Sequence, residues 1–144
     1  MKKLTAGRCA ELYALLREAK LTKLPTDDKL HVVDILHALR PVATKLEDAR
    51  RDCIQSLKPE KFEERLEAAR DYEKGNTPPA MTKEEYDVFI RELTEYNNLV
   101  ADGIRAFTEK EAEVPTLSTP AFRSLLAVNE WTAGQVETLT ELVC

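Results

Sequence analysis

Apolar residues in this chain recur mostly at three- and four-residue steps, the period of one helix face. The longest such pattern runs over residues 27–57. Val32, Leu39, Leu46 and Cys53 recur every seven residues, and Ile35, Val42, Ala49 and Ser56 form a second series. Leu36, Ala43 and Leu57 lie beside them. This is the seam of a bundle or coiled-coil helix. Thr26 is a candidate N-cap, and Asp27 and Asp28 put negative charge in the first turn, where the helix dipole favours it. Pro41 falls inside the pattern. It lacks an N–H and crowds the carbonyl four residues back, so a kink or break is expected near Leu36–Arg40. The apolar register continues past Pro41, which favours a kink.

A second long pattern follows Thr82-Lys83-Glu84-Glu85, which has the form of a capping box. Tyr86, Phe89, Ile90, Leu93, Tyr96, Val100, Ile104 and Phe107 then step along one face to about Lys110. Gly103 costs this helix roughly 1 kcal/mol relative to Ala, which points to a close crossing with a neighbour. Shorter helices are expected around these two. One starts at the candidate cap Thr5 and ends about Lys20, with Cys9, Leu12, Leu16 and Ala19 on one stripe. Another covers 59–74, with Pro59 in its first turn, Phe62, Leu66 and Ala69 inward, and Gly75 at C′. Asn76-Thr77-Pro78-Pro79 reads as a loop. Thr119 is the candidate cap of a helix with Pro120 at its first position, and Asn129 is a candidate stop. Thr132-Ala133-Gly134-Gln135 is a second capping box, leading into Val136, Leu139 and Val143. Trp131 lies between these last two helices as a packing anchor.

Leu21-Thr22-Lys23-Leu24 and Glu113-Val114-Pro115-Thr116-Leu117 read as extended. They predict a minimal two-stranded sheet, 21–24 with 113–117, in which Pro115 confines the second segment to an edge. The expected fold is mainly α. An antiparallel pair of long helices, residues 27–57 and 82–110, carries the shorter helices in a single helical domain over residues 1–144.

Composition fits that picture. A 144-residue chain is about one domain in size. With 33% charged and 43% hydrophobic residues it has enough apolar surface to fold. No apolar run reaches the roughly 18 residues needed to span a bilayer. Met1-Lys2-Lys3-Leu4-Thr5 opens like a secretion signal, but Arg8, Glu11 and Arg17 interrupt the apolar core such a signal requires. A cytoplasmic location is therefore expected. Three widely spaced cysteines, Cys9, Cys53 and Cys144, suit a reduced compartment better than a disulfide framework. Cys9 and Cys53 are expected in the core and Cys144 as an exposed thiol.

Charge is uneven. Residues 1–58 carry 12 basic and 8 acidic side chains, and residues 59–144 carry 9 and 18, for a net −5. Attraction between the halves explains this more simply than a nucleic-acid face, because the bases are dispersed and lack interleaved aromatics. Lys45, Arg50, Arg51 and Lys58 are the best phosphate or partner contacts, although Asp48 and Asp52 weaken the local field. Glu60, Glu63, Glu64 and Glu67 form an acidic run that reads as a solvated face.

Candidate chemistry is sparse. His31 and His37 lie about 240° apart around a helix and cannot share a ligand face. Asp34 is three residues from each and could accept a hydrogen bond from one. No C-x-x-C, Glu-x-x-His, phosphate-binding glycine loop or calcium loop occurs. No enzyme activity and no catalytic, cofactor or metal site are expected.

Three segments together resemble a family of small uncharacterised helical proteins encoded by bacteriophages and prophages. They are Leu21-Thr22-Lys23-Leu24-Pro25 leading into the helix that contains Leu46-Glu47-Asp48-Ala49-Arg50, the stretch Tyr86-Asp87-Val88-Phe89-Ile90-Arg91-Glu92-Leu93, and the link into Leu117-Ser118-Thr119-Pro120-Ala121-Phe122. The resemblance covers most of the chain from Leu21 onward, with residues 58–80 standing as an insertion. It implies a bacterial-cell or virion-associated setting and brings no site residues. The leading expectation is a non-catalytic interaction or assembly protein that binds a protein partner or itself. The alternative is a weak nucleic-acid binder that uses the basic helix around residues 40–58.

Overall fold

The computed structural model describes residues 1–144. In chain order the elements are β1 (Lys2–Thr5), α1 (Ala6–Leu16), α2 (Thr26–Leu57), α3 (Phe62–Glu73), α4 (Lys83–Thr108), β2 (Glu111–Val114), α5 (Thr119–Ala127) and α6 (Ala133–Leu139). A 3-10 turn, Thr140–Leu142, closes the chain. The fold is mainly α with one two-stranded antiparallel sheet. It forms two compact units, Met1–Asp48 with Ala106–Cys144, and Ala49–Arg105.

The first unit is built on one apolar cluster. α1 contributes Cys9, Leu12 and Leu16, and α2 contributes Val32, Ile35 and Leu39. Leu117, Leu125, Leu139 and Leu142 close over them. The three α2 residues fall on one helix stripe, so the first half of the predicted seam is a core face. Pro41 does not interrupt α2, which stays helical from Thr26 to Leu57. The start of α2 lies one residue earlier than the cap reading: Thr26 is already helical, and the Pro25 carbonyl accepts the Lys29 N–H at 3.0 Å.

The minimal sheet forms, and its second strand shares Glu113 and Val114 with the predicted 113–117, but its partner is the N-terminal segment rather than 21–24. Lys2 pairs with Val114, Lys3 with Glu113, Leu4 with Ala112 and Thr5 with Glu111. Leu4 and Val114 are buried, whereas Lys3, Thr5, Glu111 and Glu113 are exposed, the two-face alternation of a half-buried sheet. Residues 21–24 instead form a turn, in which the Leu24 N–H donates to the Leu21 carbonyl at 3.0 Å. The reason is geometric. In a strand, residues three apart point to opposite faces, but here Leu24 is in the core and Leu21 packs against it. Leu117 does pair, as a single parallel bridge to Val143.

Local capping governs the helix ends. Thr5 accepts the Arg8 N–H at 3.2 Å. α1 ends at Leu16, short of Lys20. The Asn129 side chain accepts the Lys20 N–H at 2.6 Å and donates to the carbonyls of Lys20 and Leu125 at 3.1 and 3.0 Å. The cap of α5 is Ser118, not Thr119, so Pro120 occupies the second helical position. The Thr132–Gln135 capping box is complete in both directions.

The second unit has a smaller core of Ala69, Met81 and Phe89, flanked by Phe62, Leu66, Tyr72, Tyr86, Ile90 and Leu93. Its aromatic contacts set α3 against α4: Tyr72 stacks on Tyr86 at 4.5 Å, and Phe62 meets Phe89 at 6.2 Å and Tyr96 at 5.3 Å. The Arg65 guanidinium lies 5.0 Å from the Phe89 ring centroid and bonds Glu92 at 2.6 Å. α3 begins at Phe62, later than Pro59, because Lys61 at φ 53° turns the chain into it. The Thr82 and Glu85 cap of α4 forms as its sequence predicts. The end of α2 meets α4 where the Tyr96 hydroxyl donates to the Ile54 carbonyl at 3.1 Å. A Cβ on Gly103 would sit 3.1 Å from the Cys53 Sγ, which accounts for glycine at the predicted crossing.

Two outcomes follow from these contacts. A Cβ on Gly7 would lie 2.6 Å from the Thr108 Cγ2. Gly7→Ala should therefore lower the Tm despite a helix-propensity gain of about 1 kcal/mol. Adding Thr108→Ser, which removes that methyl, should restore it. In the second unit, the hydrogen bond from Tyr86 to the Glu73 carboxylate, at 2.7 Å, raises the Tyr86 pKa. The folded state then keeps a proton that the unfolded chain loses. This stabilisation is complete below the ordinary tyrosine range near pH 10 and is lost as pH rises through the raised value. Thermal melts of wild type and Tyr86→Phe should differ at neutral pH and converge in strong alkali.

Candidate functional site

The four basic residues singled out in the sequence do not converge. Lys45, Arg50 and Arg51 are exposed on α2, at angles of about 100° or more from one another around the helix axis. Lys58 lies beyond the helix end, ion-paired to Glu63 and 5.5 Å from the Phe62 ring centroid. A phosphate bound at one of them would not be within reach of the rest as a set. His31, Asp34 and His37 are all exposed on α2. No group of three or more His, Cys, Asp or Glu is placed to hold a metal ion. No helix is long and apolar enough to cross a membrane.

The cysteines occupy three environments. Cys9 is buried among apolar side chains, and desolvation pushes its thiol pKa up. Cys53 is half-buried at the Gly103 crossing. Cys144 is exposed, with its Sγ 3.1 Å from the Thr116 Oγ1 and 3.2 Å from the Leu117 carbonyl it donates to.

What the structure does assemble is an apolar patch on the second unit. Ile54 and Leu57, in the last turns of α2, are 37% and 40% exposed, and Leu99 on α4 is 47% exposed. Completing the burial of each such half-covered side chain would yield roughly 1 kcal/mol, so leaving three of them open on one unit has a cost. A shallow groove of about 190 Å³ runs beside them, lined by Leu57, Pro59, Glu92, Glu95, Tyr96 and Leu99. Tyr96 forms its floor, with its hydroxyl already bonded to Ile54. Met1, Leu30 and Phe107 of the first unit are exposed as well.

The signal for this patch was present in the sequence. Tyr86, Phe89, Leu93, Tyr96 and Val100 mark the inward stripe of α4, and Val88 and Leu99 fall off it. On α2 the seam ends in Ser56 and Leu57, where the apolar series has no further partner of its own. A heptad pattern does not say where its face changes from covered to open.

No protein-family model, curated protein or solved structure matches the chain.

Alkylation separates the thiols. In the native protein, iodoacetamide should label Cys144 first and leave Cys9 unmodified until denaturant is added. Peptide mass spectrometry over time reads the order directly.

Proposed function

We propose that the protein is a non-catalytic interaction protein, an assembly or accessory factor of the kind its phage and prophage resemblance implies. The observation that carries this reading is the patch of Ile54, Leu57 and Leu99 beside the Tyr96-floored groove. These residues sit on two helices, a firm support for a docking surface. Exposed apolar patches rimmed by polar groups mark interaction sites on folded proteins. The dispersed bases of α2 give the nucleic-acid alternative less support, since phosphate binding needs several cations along one track.

Multi-angle light scattering of the purified chain, with pull-downs from infected and uninfected bacterial cells, tests the reading. A retained partner or a defined oligomer is the expected result. Leu57→Ser with Leu99→Ser should weaken it by at least about tenfold, since a loss of 1.4 kcal/mol is a factor of ten. A strictly monomeric protein that retains nothing would overturn the proposal.

A further inference from the structure

The outward stripe of α4 is a heptad seam with carboxylates at most of its positions. Glu85, Val88, Glu92, Glu95, Leu99 and Asp102 follow one another at alternating steps of three and four. Val88 and Leu99 are exposed apolar residues, and no base occurs in the series. Two of its carboxylates have bases from within the unit: Glu92 bonds Arg65 at 2.6 Å, and Asp102 meets Arg105 at 3.4 Å. Glu95 lines the groove beside Leu99, is exposed, and forms no ion pair. The open face therefore combines apolar anchors with a surplus of negative charge at helical spacing.

From this face we infer the class of partner, an inference that rests on the interaction reading above: the groove between the end of α2 and α4 receives a basic amphipathic helix. Its large apolar residues pack on Ile54, Leu57 and Leu99, and a Lys or Arg side chain flanks them opposite Glu95, the groove carboxylate without a base of its own. A third helix laid in the groove between two others is an established recognition mode, read as anchors at three- and four-residue steps. The charge pattern selects among occupants. In a two-fold contact between copies, residues near the axis face their own duplicates. Glu95, which has no base of its own, would then meet a like charge, and the chain as a whole carries −5. Nucleic acid would bring phosphates to the same carboxylate. A cationic helix meets neither obstacle.

The test uses the full chain and three synthetic peptides of about three heptads. The first has Leu at a and d and Lys at e and g, the second has Glu in place of Lys, and the third is a scramble of the first. Isothermal titration calorimetry should show binding of the Lys peptide alone, weakening as salt rises. Leu99→Ser should lower its affinity about tenfold, and Glu95→Lys should lower it several-fold. Glu67→Lys, on the exposed side of α3, should leave it unchanged. Circular dichroism confirms that each variant is folded. Equal binding of the scrambled peptide, or equal loss in Glu67→Lys, would reduce the effect to bulk charge and overturn the inference. Preference for the Glu peptide would overturn it too, as would self-association abolished by Leu99→Ser; both would leave the interaction reading standing. If no peptide binds, and no partner or oligomer depends on Leu57 and Leu99, both fail.

Discussion

Four residue pairs of β-sheet hold together parts of the chain separated by everything from α1 to α4. Lys2–Thr5 against Glu111–Val114 is the contact on which the first unit depends. Two strands of this length are marginal alone, and closing so long a loop costs conformational entropy. The clip persists because its inner face is part of the core, through Leu4 and Val114. The Ala6 N–H donates to the Lys110 carbonyl at 2.6 Å directly beyond the sheet, and Lys2 meets Glu141 at 3.4 Å. With α1 and β2 fixed side by side, α5 and α6 can cover Cys9, Leu12 and Leu16. No charged or polar side chain is buried in either unit, so apolar packing supplies the cohesion and hydrogen bonds set the ends of elements.

Features encoded locally were legible in the sequence. The long helices, the Gly103 crossing, the Gly75 terminator and both capping boxes follow from residues within a few positions of one another. A two-stranded sheet with one strand at Glu113 and Val114 was legible, but its partner was not, because Lys2–Thr5 is remote and carries two lysines that read as a leader. Four residues offer too little alternation to separate a strand from a turn, and Leu21 with Leu24 satisfies the core from a turn. Cap positions slipped by one at Pro25–Thr26 and Ser118–Thr119, where neighbouring residues are both good caps or both tolerated in a first turn. The candidate basic site was legible only as composition. Helical geometry separates Lys45, Arg50 and Arg51, and Lys58 is held by Glu63.

α2 shows why one pattern can serve two ends. Its stripe begins with Val32, Ile35 and Leu39, all sealed in the first core, and finishes with Ile54 and Leu57 in water. The small core of the second unit is concentrated on α3 and the first half of α4, around Ala69, Met81 and Phe89. It leaves the end of α2 and the outer stripe of α4 uncovered. The candidate surface thus arises from where the packing stops, rather than from any specialised cluster of reactive groups.

Asn129 carries a different kind of consequence. Its amide accepts from one backbone group and donates to two others, tying the turn after α1 to the end of α5. A carboxylate in the same place could only accept, an ammonium could only donate, and an aliphatic side chain could do neither. Gln has the right groups on a stem one methylene too long for the same short contacts. Of these side chains only Asn meets all three contacts, so the hydrogen bonds constrain this position although it lies partly exposed at the surface, where substitution is usually free.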